Sequence, residues 1–233
     1  MNNYQNVGQY TFTPEAMSLA GEARMAYIRK VYTYFALAIA TGIGGTLLAI
    51  NTSLVFFFAT SPIISLILFL GIVWFAGRSA ENPATAVPTL ALATFVSGLV
   101  ISPMIYLVAG TQGMGAIYSA LTLTACVFGG LTLYTWVSRK DFSYMGASLM
   151  IGLFLVIGVG IVNIFVQSST LSLAGAIVSV VLFSGFILYD TSRILRQPHL
   201  VPPTLAALSL YLDFLNLFMA ILRIVGIGGS SDD

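Results

Sequence analysis

The sequence predicts an all-α integral membrane protein with seven transmembrane helices, and three observations carry that prediction. Hydrophobic residues make up 58% of the 233 positions and charged residues only 7%, against about 25% charged in a soluble domain. Such a chain cannot cover itself with a wetted surface. Its apolar runs reach about 20 residues each, the length that crosses a bilayer. The few basic residues also fall on one side when the chain is threaded through seven spans, the asymmetry expected of cytosolic loops. The net charge of +1 and the lack of a basic run give no reason to expect nucleic acid. The single cysteine, Cys126, rules out an internal disulfide and a cysteine metal cluster. In its apolar run it reads as an inert buried thiol.

Taken in order, residues 1–30 are rich in Asn, Gln, Glu and Arg and lack the apolar core of a cleavable signal. They are expected to form a polar cytosolic tail. One membrane domain should then occupy 31–227, leaving 228–233 as a short C-terminal tail. Spans are expected near 31–50, 58–77, 86–108, 114–137, 144–166, 171–192 and 203–226, separated by short breaks such as "NTS", "GRSAENP", "SRKD" and "RQPHLVPP". The first span carries "ATGIGG" and the fifth "GLFLVIGVG", small residues that let helices approach where lipid gives no hydrophobic drive. Pro103 in "FVSGLVISPMIYL" should kink or loosen the third span. Asn163 in "GIVNIF" needs a hydrogen-bond partner and reads as interhelical glue.

Charge sets the orientation. Arg24, Arg29 and Lys30 precede the first span, Arg78 follows the second, Arg139 and Lys140 the fourth, and Arg193 and Arg196 the sixth. Only Arg223 lies toward the other side. The N-terminus is therefore expected in the cytosol and the C-terminus outside, in the plasma (inner) membrane if the host is bacterial.

The seventh span poses the functional question. Alternating steps of three and four give Ala206, Ser209, Asp213, Asn216, Ala220 and Arg223, while Leu210, Leu212, Leu215, Phe218 and Ile221 fill the other faces. An ionised carboxylate near the bilayer centre costs at least about 3 kcal/mol on the lenient insertion scale, so this stripe must face the bundle interior or a wet cavity. From Pro203, a rise of about 1.5 Å per residue puts Asp213 roughly 15 Å deep. Asp190, in "LFSGFILYDTSRIL", sits about two turns from the cytosolic Arg196, and the two antiparallel spans can bring the acids together. A local reading remains open for each: Asp190 pairing with Arg193 one turn on, Asp213 as a hydrogen-bonded structural group. His199 reads as a solvated loop residue, with a pH response as the alternative.

"FILYDTSRI" and "LSLYLDFLNLFMAILRIVG" resemble the last two helices of the transmembrane Bax-inhibitor-motif family. "SRKDFSYMG" and "FVSGLVISP" are similar to its patterns as well, and the likeness runs from about residue 31 to the C-terminus. The resemblance implies a seven-helix fold with the last helix central. It also implies a calcium leak pathway controlled by two aspartates, matching Asp190 and Asp213, and an arginine at the end of the second helix that engages them, matching Arg78. An acid found in the second helix of many relatives has no match in "SPIISLILFLGIVWFAG".

The chemistry of such a pair suits an ion site. Two close carboxylates in a low-dielectric bundle repel and share one proton, and calcium, which prefers hard oxygen ligands, competes with that proton. The expected function is a pH-sensitive calcium leak channel rather than an enzyme. Asp190 and Asp213 would be the metal and proton site, Arg78 its modulator, and Ser209 and Asn216 the supporting stripe. Calcium and protons are the expected partners alongside the lipid bilayer, with no cofactor. Two other classes stay open. A proton-coupled transporter would reuse the pair, although no clear internal repeat is visible. An intramembrane aspartyl protease also carries "YD", but its partner motif "GxGD" and its "PAL" sequence are absent, with "LYLD" in their place.

Overall fold

The computed structural model describes residues 14–138, 140–198 and 200–228, so Arg139 and His199 lie outside the described residues. Eight α-helices follow one another: α1 Pro14–Ile50, α2 Leu54–Thr60, α3 Pro62–Ser79, α4 Pro83–Gln112, α5 Met114–Ser138, α6 Gly146–Val166, α7 Ser169–Arg196 and α8 Pro203–Gly228. A 3-10 turn, Ser143–Met145, leads into α6. Among the described residues, seven helices are long and apolar enough to cross a membrane, and none forms a strand.

Two boundaries differ from expectation for local reasons. Helix α1 begins at Pro14 rather than near residue 31. The polar segment "PEAMSLAGEARMAYIRK" is rich in Ala, Glu, Met, Arg and Lys, all strong helix formers, and residues 21–26 of it are exposed on the helix. The second expected span is divided. Ser61, just before Pro62, sits at φ −125° and ψ 60°, outside the helical region that proline disfavours in its predecessor. The short α2 stops there, and α3 restarts with Pro62 in its first turn.

Pro103 does not end α4, which runs unbroken through it. A proline at 103 cannot donate to the carbonyl of Leu99, four residues back. The Ser102 hydroxyl donates to that carbonyl instead, at 2.7 Å. Asn163 turns out to be local as well. Its side-chain oxygen accepts from the Ser168 backbone N–H at 3.0 Å, joining the end of α6 to the start of α7, so it ties a loop and does not bind two helix faces.

Helix α8 is the axis of the bundle. It packs against α1, α4, α5 and α7, and 67% of its spanning window is buried, against 6% for α6. The apolar side chains Leu210, Leu217 and Leu222 are fully buried and Asp213 is buried too, so several faces of α8 meet protein. Around it, α1 and α4 cross in backbone contact. A Cβ added at Gly45 would strike the Phe95 carbonyl, and one at Gly98 the Gly42 carbonyl. Thr46 donates to Gly98 O at 3.0 Å, and the Thr41 and Thr94 hydroxyls meet at 2.6 Å. Tyr211 of α8 reaches this crossing, its hydroxyl 2.7 Å from Ser97 Oγ.

Candidate functional site

Asp213 sits midway along α8, buried at 5% exposure. The last turns of α7 place Asp190 opposite it, and the two carboxyl groups lie within hydrogen-bonding reach of each other. Burial follows from position: each acid is on the α7–α8 contact face, one of the most extensive in the bundle. Asp213 Oδ2 is buried with no hydrogen-bond partner among the described residues. A buried acceptor of that kind is costly unless a proton or cation satisfies it.

Beside the pair, toward the end of the bundle where the basic residues gather, lies a cavity of about 20 Å³ bounded by Tyr27, Asp190, Arg193, Val201 and Ser209 among others. That volume suits about one water molecule. Tyr27 of α1 closes one side, its hydroxyl donating to Val201 O at 3.0 Å in the α7–α8 connection. Arg193 is the cation whose charge acts on Asp190, and its guanidinium lies over the Tyr189 ring at 5.4 Å.

Arg78 is not brought to the pair. It is exposed at the end of α3, with its guanidinium 5.7 Å from the centre of the Trp74 ring. Helix α3 packs mainly on α4 at the outside of the bundle, which puts its C-terminal side chains away from the α7–α8 interface. The cation whose charge does act on Asp190 is Arg193, one helical turn on. Of the supporting stripe, Ser209 lines the cavity. Asn216 turns back on its own helix and donates to Leu212 O at 2.7 Å.

The connection before α6 adds a tie the sequence reading did not identify. Asp141 accepts from the Ser143 backbone N–H at 2.9 Å, an Asx turn, and from the Ser192 hydroxyl at 3.2 Å. Ser192 Oγ also accepts from Phe142 N at 3.1 Å. The Ser143 backbone bond, helped by the Ser143 and Ser192 hydroxyls and the Arg196 charge, holds the exposed Asp141 carboxyl below its ordinary pKa. The "DFS" pattern signals the turn, but its docking onto Ser192, two residues beyond Asp190, is a tertiary fact. Tyr27 likewise gave no local signal, because its partner is 174 residues away.

Two carboxylates offer at most four oxygens, while calcium takes six to eight. Among the described residues no group of three or more His, Cys, Asp or Glu side chains could hold a metal. A cation held by this pair would need waters or carbonyls to complete its shell.

Seven membrane-spanning helices, the last of them central, with facing acids inside, define a multi-pass membrane protein with an intramembrane carboxylate pair. The profile of the family described as "Inhibitor of apoptosis-promoting Bax1" matches residues 24–230. The chain belongs to this Bax inhibitor family. It is 41% identical over 176 residues to a membrane protein of Vibrio cholerae, covering 74% of this chain and 78% of the relative. It is 32% identical over 201 residues to mouse protein lifeguard 4, covering 86% and 84%. A shorter match, 38% over 109 residues, covers 47% of this chain and 46% of the Golgi anti-apoptotic protein of vaccinia virus.

Proposed function

We propose that the chain forms a pH-sensitive calcium leak across its membrane, with Asp190 and Asp213 as the ion and proton site. The observation that supports this reading is the facing acid pair inside an otherwise apolar bundle, with one carboxylate oxygen left unpartnered. At low pH one shared proton bridges α7 and α8, and the connection is closed. At higher pH the pair carries about two negative charges, repels itself and attracts calcium. The helices then part at the basic end, where the cavity beside Ser209 already admits about one water. Arg193 modulates the pair by its charge. With only two acids, calcium is held loosely, which suits passage rather than storage.

The same cavity argues against peptide cleavage, since about 20 Å³ holds a water but no substrate, and we read the protein as a non-enzyme. On the bias of basic residues we read that end of the bundle as cytosolic, in the plasma (inner) membrane if the host is bacterial. A reporter fused after Asp233 should be non-cytosolic, and a cytosolic reporter on folded protein would refute this topology.

The deciding experiment is calcium flux into dye-loaded liposomes over a pH series, with other cations as controls. Wild type should leak more as pH rises. Asp190→Asn combined with Asp213→Asn should abolish the pH response in folded protein. A double variant that titrates like wild type would sink the two-acid gate. Proton counter-movement at fixed stoichiometry would mark coupled transport instead, and cleavage of a peptide by the same sample would mark a protease.

A further inference from the structure

At the basic end of the bundle, the start of α1 and the ends of α5 and α7 enclose an open cleft of about 510 Å³. It shares no lining residue with the cavity beside the acid pair. Gly21, Arg24 and Ile28 fall three and four residues apart and so share one face of α1. Glu22 is two residues from Arg24, about 200° around the helix, and points away.

Two features define what this cleft takes. Arg24 and Arg196 both line it and both are exposed. Two guanidinium groups around one space repel unless an anion lies between them. Asp141 acts on Arg196, whose five N–H donors can serve more than one acceptor. The remaining lining is apolar except for Thr135, whose hydroxyl donates to Leu131 O at 2.9 Å. Ile28 and Leu195 form a buried floor, while Met25 and Trp136 stand 50% and 42% exposed. A tryptophan at the end of a spanning helix sits at the headgroup level of a bilayer. The volume suits a ligand larger than a simple ion, and guanidinium matches phosphate with paired hydrogen bonds.

We propose that this cleft binds the headgroup of an anionic phospholipid from the adjoining leaflet. Arg24 and Arg196 hold the phosphate, Trp136 packs on the glycerol region, and the chains leave past Met25. A lipid seated there joins α1, α5 and α7. Basic pockets between helices commonly take such headgroups, and here the arginines, the aromatic side chain and the apolar floor converge on one site.

The test is retention of lipid by the purified full-length protein in detergent, read by native mass spectrometry, with phosphatidylglycerol, phosphatidylcholine and inorganic phosphate as separate probes. Each arginine should contribute about 5-fold, and the two together roughly 30-fold, to the preference for phosphatidylglycerol over phosphatidylcholine. Arg24→Gln with Arg196→Gln should remove that preference, and Arg24→Gln alone, at an exposed position, should reduce it about 5-fold. Arg29→Gln with Lys30→Gln, also exposed, removes equal charge and should leave it intact. The proposal is overturned if wild type holds both lipids equally or Arg24→Gln binds like wild type. Equal loss in the Arg29/Lys30 control, or displacement of the lipid by inorganic phosphate at equal concentration, would overturn it too.

Discussion

Gly98→Ala probes the crossing on which the bundle is built. An added methyl at 98 would run into the Gly42 carbonyl, with Thr46 N also close behind it at 2.9 Å. Both obstacles are backbone, so α1 and α4 must separate. A shift of about 1 Å takes the 3.0 Å Thr46–Gly98 and 2.6 Å Thr41–Thr94 bonds beyond useful hydrogen-bond distance. Overpacking costs about 1–3 kcal/mol, and two interhelical bonds in a membrane protein add about 0.6 kcal/mol each. The fair control is Gly129→Ala in α5, where nothing lies within 4 Å of the new carbon. Both changes gain the same helix propensity, so it cancels in their difference. Gly98→Ala should therefore be about 2–4 kcal/mol less stable than Gly129→Ala, measured by reversible unfolding in mixed micelles. Equal stabilities would show that the crossing yields easily and would refute the backbone-contact account.

Three further outcomes follow from single contacts. Ser102→Ala leaves the Leu99 carbonyl without its 2.7 Å donor, costing about 1–2 kcal/mol. Adding Pro103→Ala restores a backbone N–H and should recover most of it, and no recovery would sink the compensation argument. Because the Asp141 pKa is depressed in the folded protein, its contribution is present above the ordinary carboxylate range and lost as pH falls through the folded value. Asp141→Asn should remove that acid-side loss from a thermal-stability profile, and an unchanged profile would show that the tie is not sensed. Tyr27→Phe deletes the bond to Val201 O and should speed hydrogen exchange in the α7–α8 connection, with little change in α5. Unaltered exchange would mean that the connection is held elsewhere.

How much was legible follows from the range of each signal. Bilayer length and the side taken by basic residues are properties of the local chain, so the spanning helices could be read directly. The polar stripe made Asp213 conspicuous because its environment is costly, and the antiparallel spans then led to Asp190. "ATGIGG" and "GLFLVIGVG" looked alike, yet Gly42 and Gly45 of the first lie in tight contact, whereas in the second Gly152 meets Leu182 and Gly158 and Gly160 meet nothing within 4 Å. Small residues permit close approach without saying which neighbour arrives. Arg78 carried the same sort of ambiguity: its helix end was readable, but not that α3 would pack against α4, away from α7 and α8. Composition could not separate an exposed helix from a tail, which hid the start of α1.

Under the proposed function, the ties around Asp190 decide where the fold would yield to the acid pair. The α1–α4 crossing and the Tyr211 bond to Ser97 anchor α8 in the middle of the bundle, where movement is most costly. The last turns of α7 are held differently, by the Asp141 and Phe142 bonds to Ser192. Tyr27 holds the connection that follows by a bond to Val201. Each is a single hydrogen bond added to the packing of Thr191, Ile194 and Leu195, whereas the crossing sets backbone against backbone. In the proposed mechanism, repulsion within the acid pair is relieved at the basic end of α7, where side chains rather than backbone contacts close the structure. An opening there would leave α8 in place and lead from the acids to solvent through the cavity beside Ser209. Tyr27→Phe and Asp141→Asn should then raise flux at a given pH while keeping its dependence on pH, whereas removing the acids should abolish that dependence.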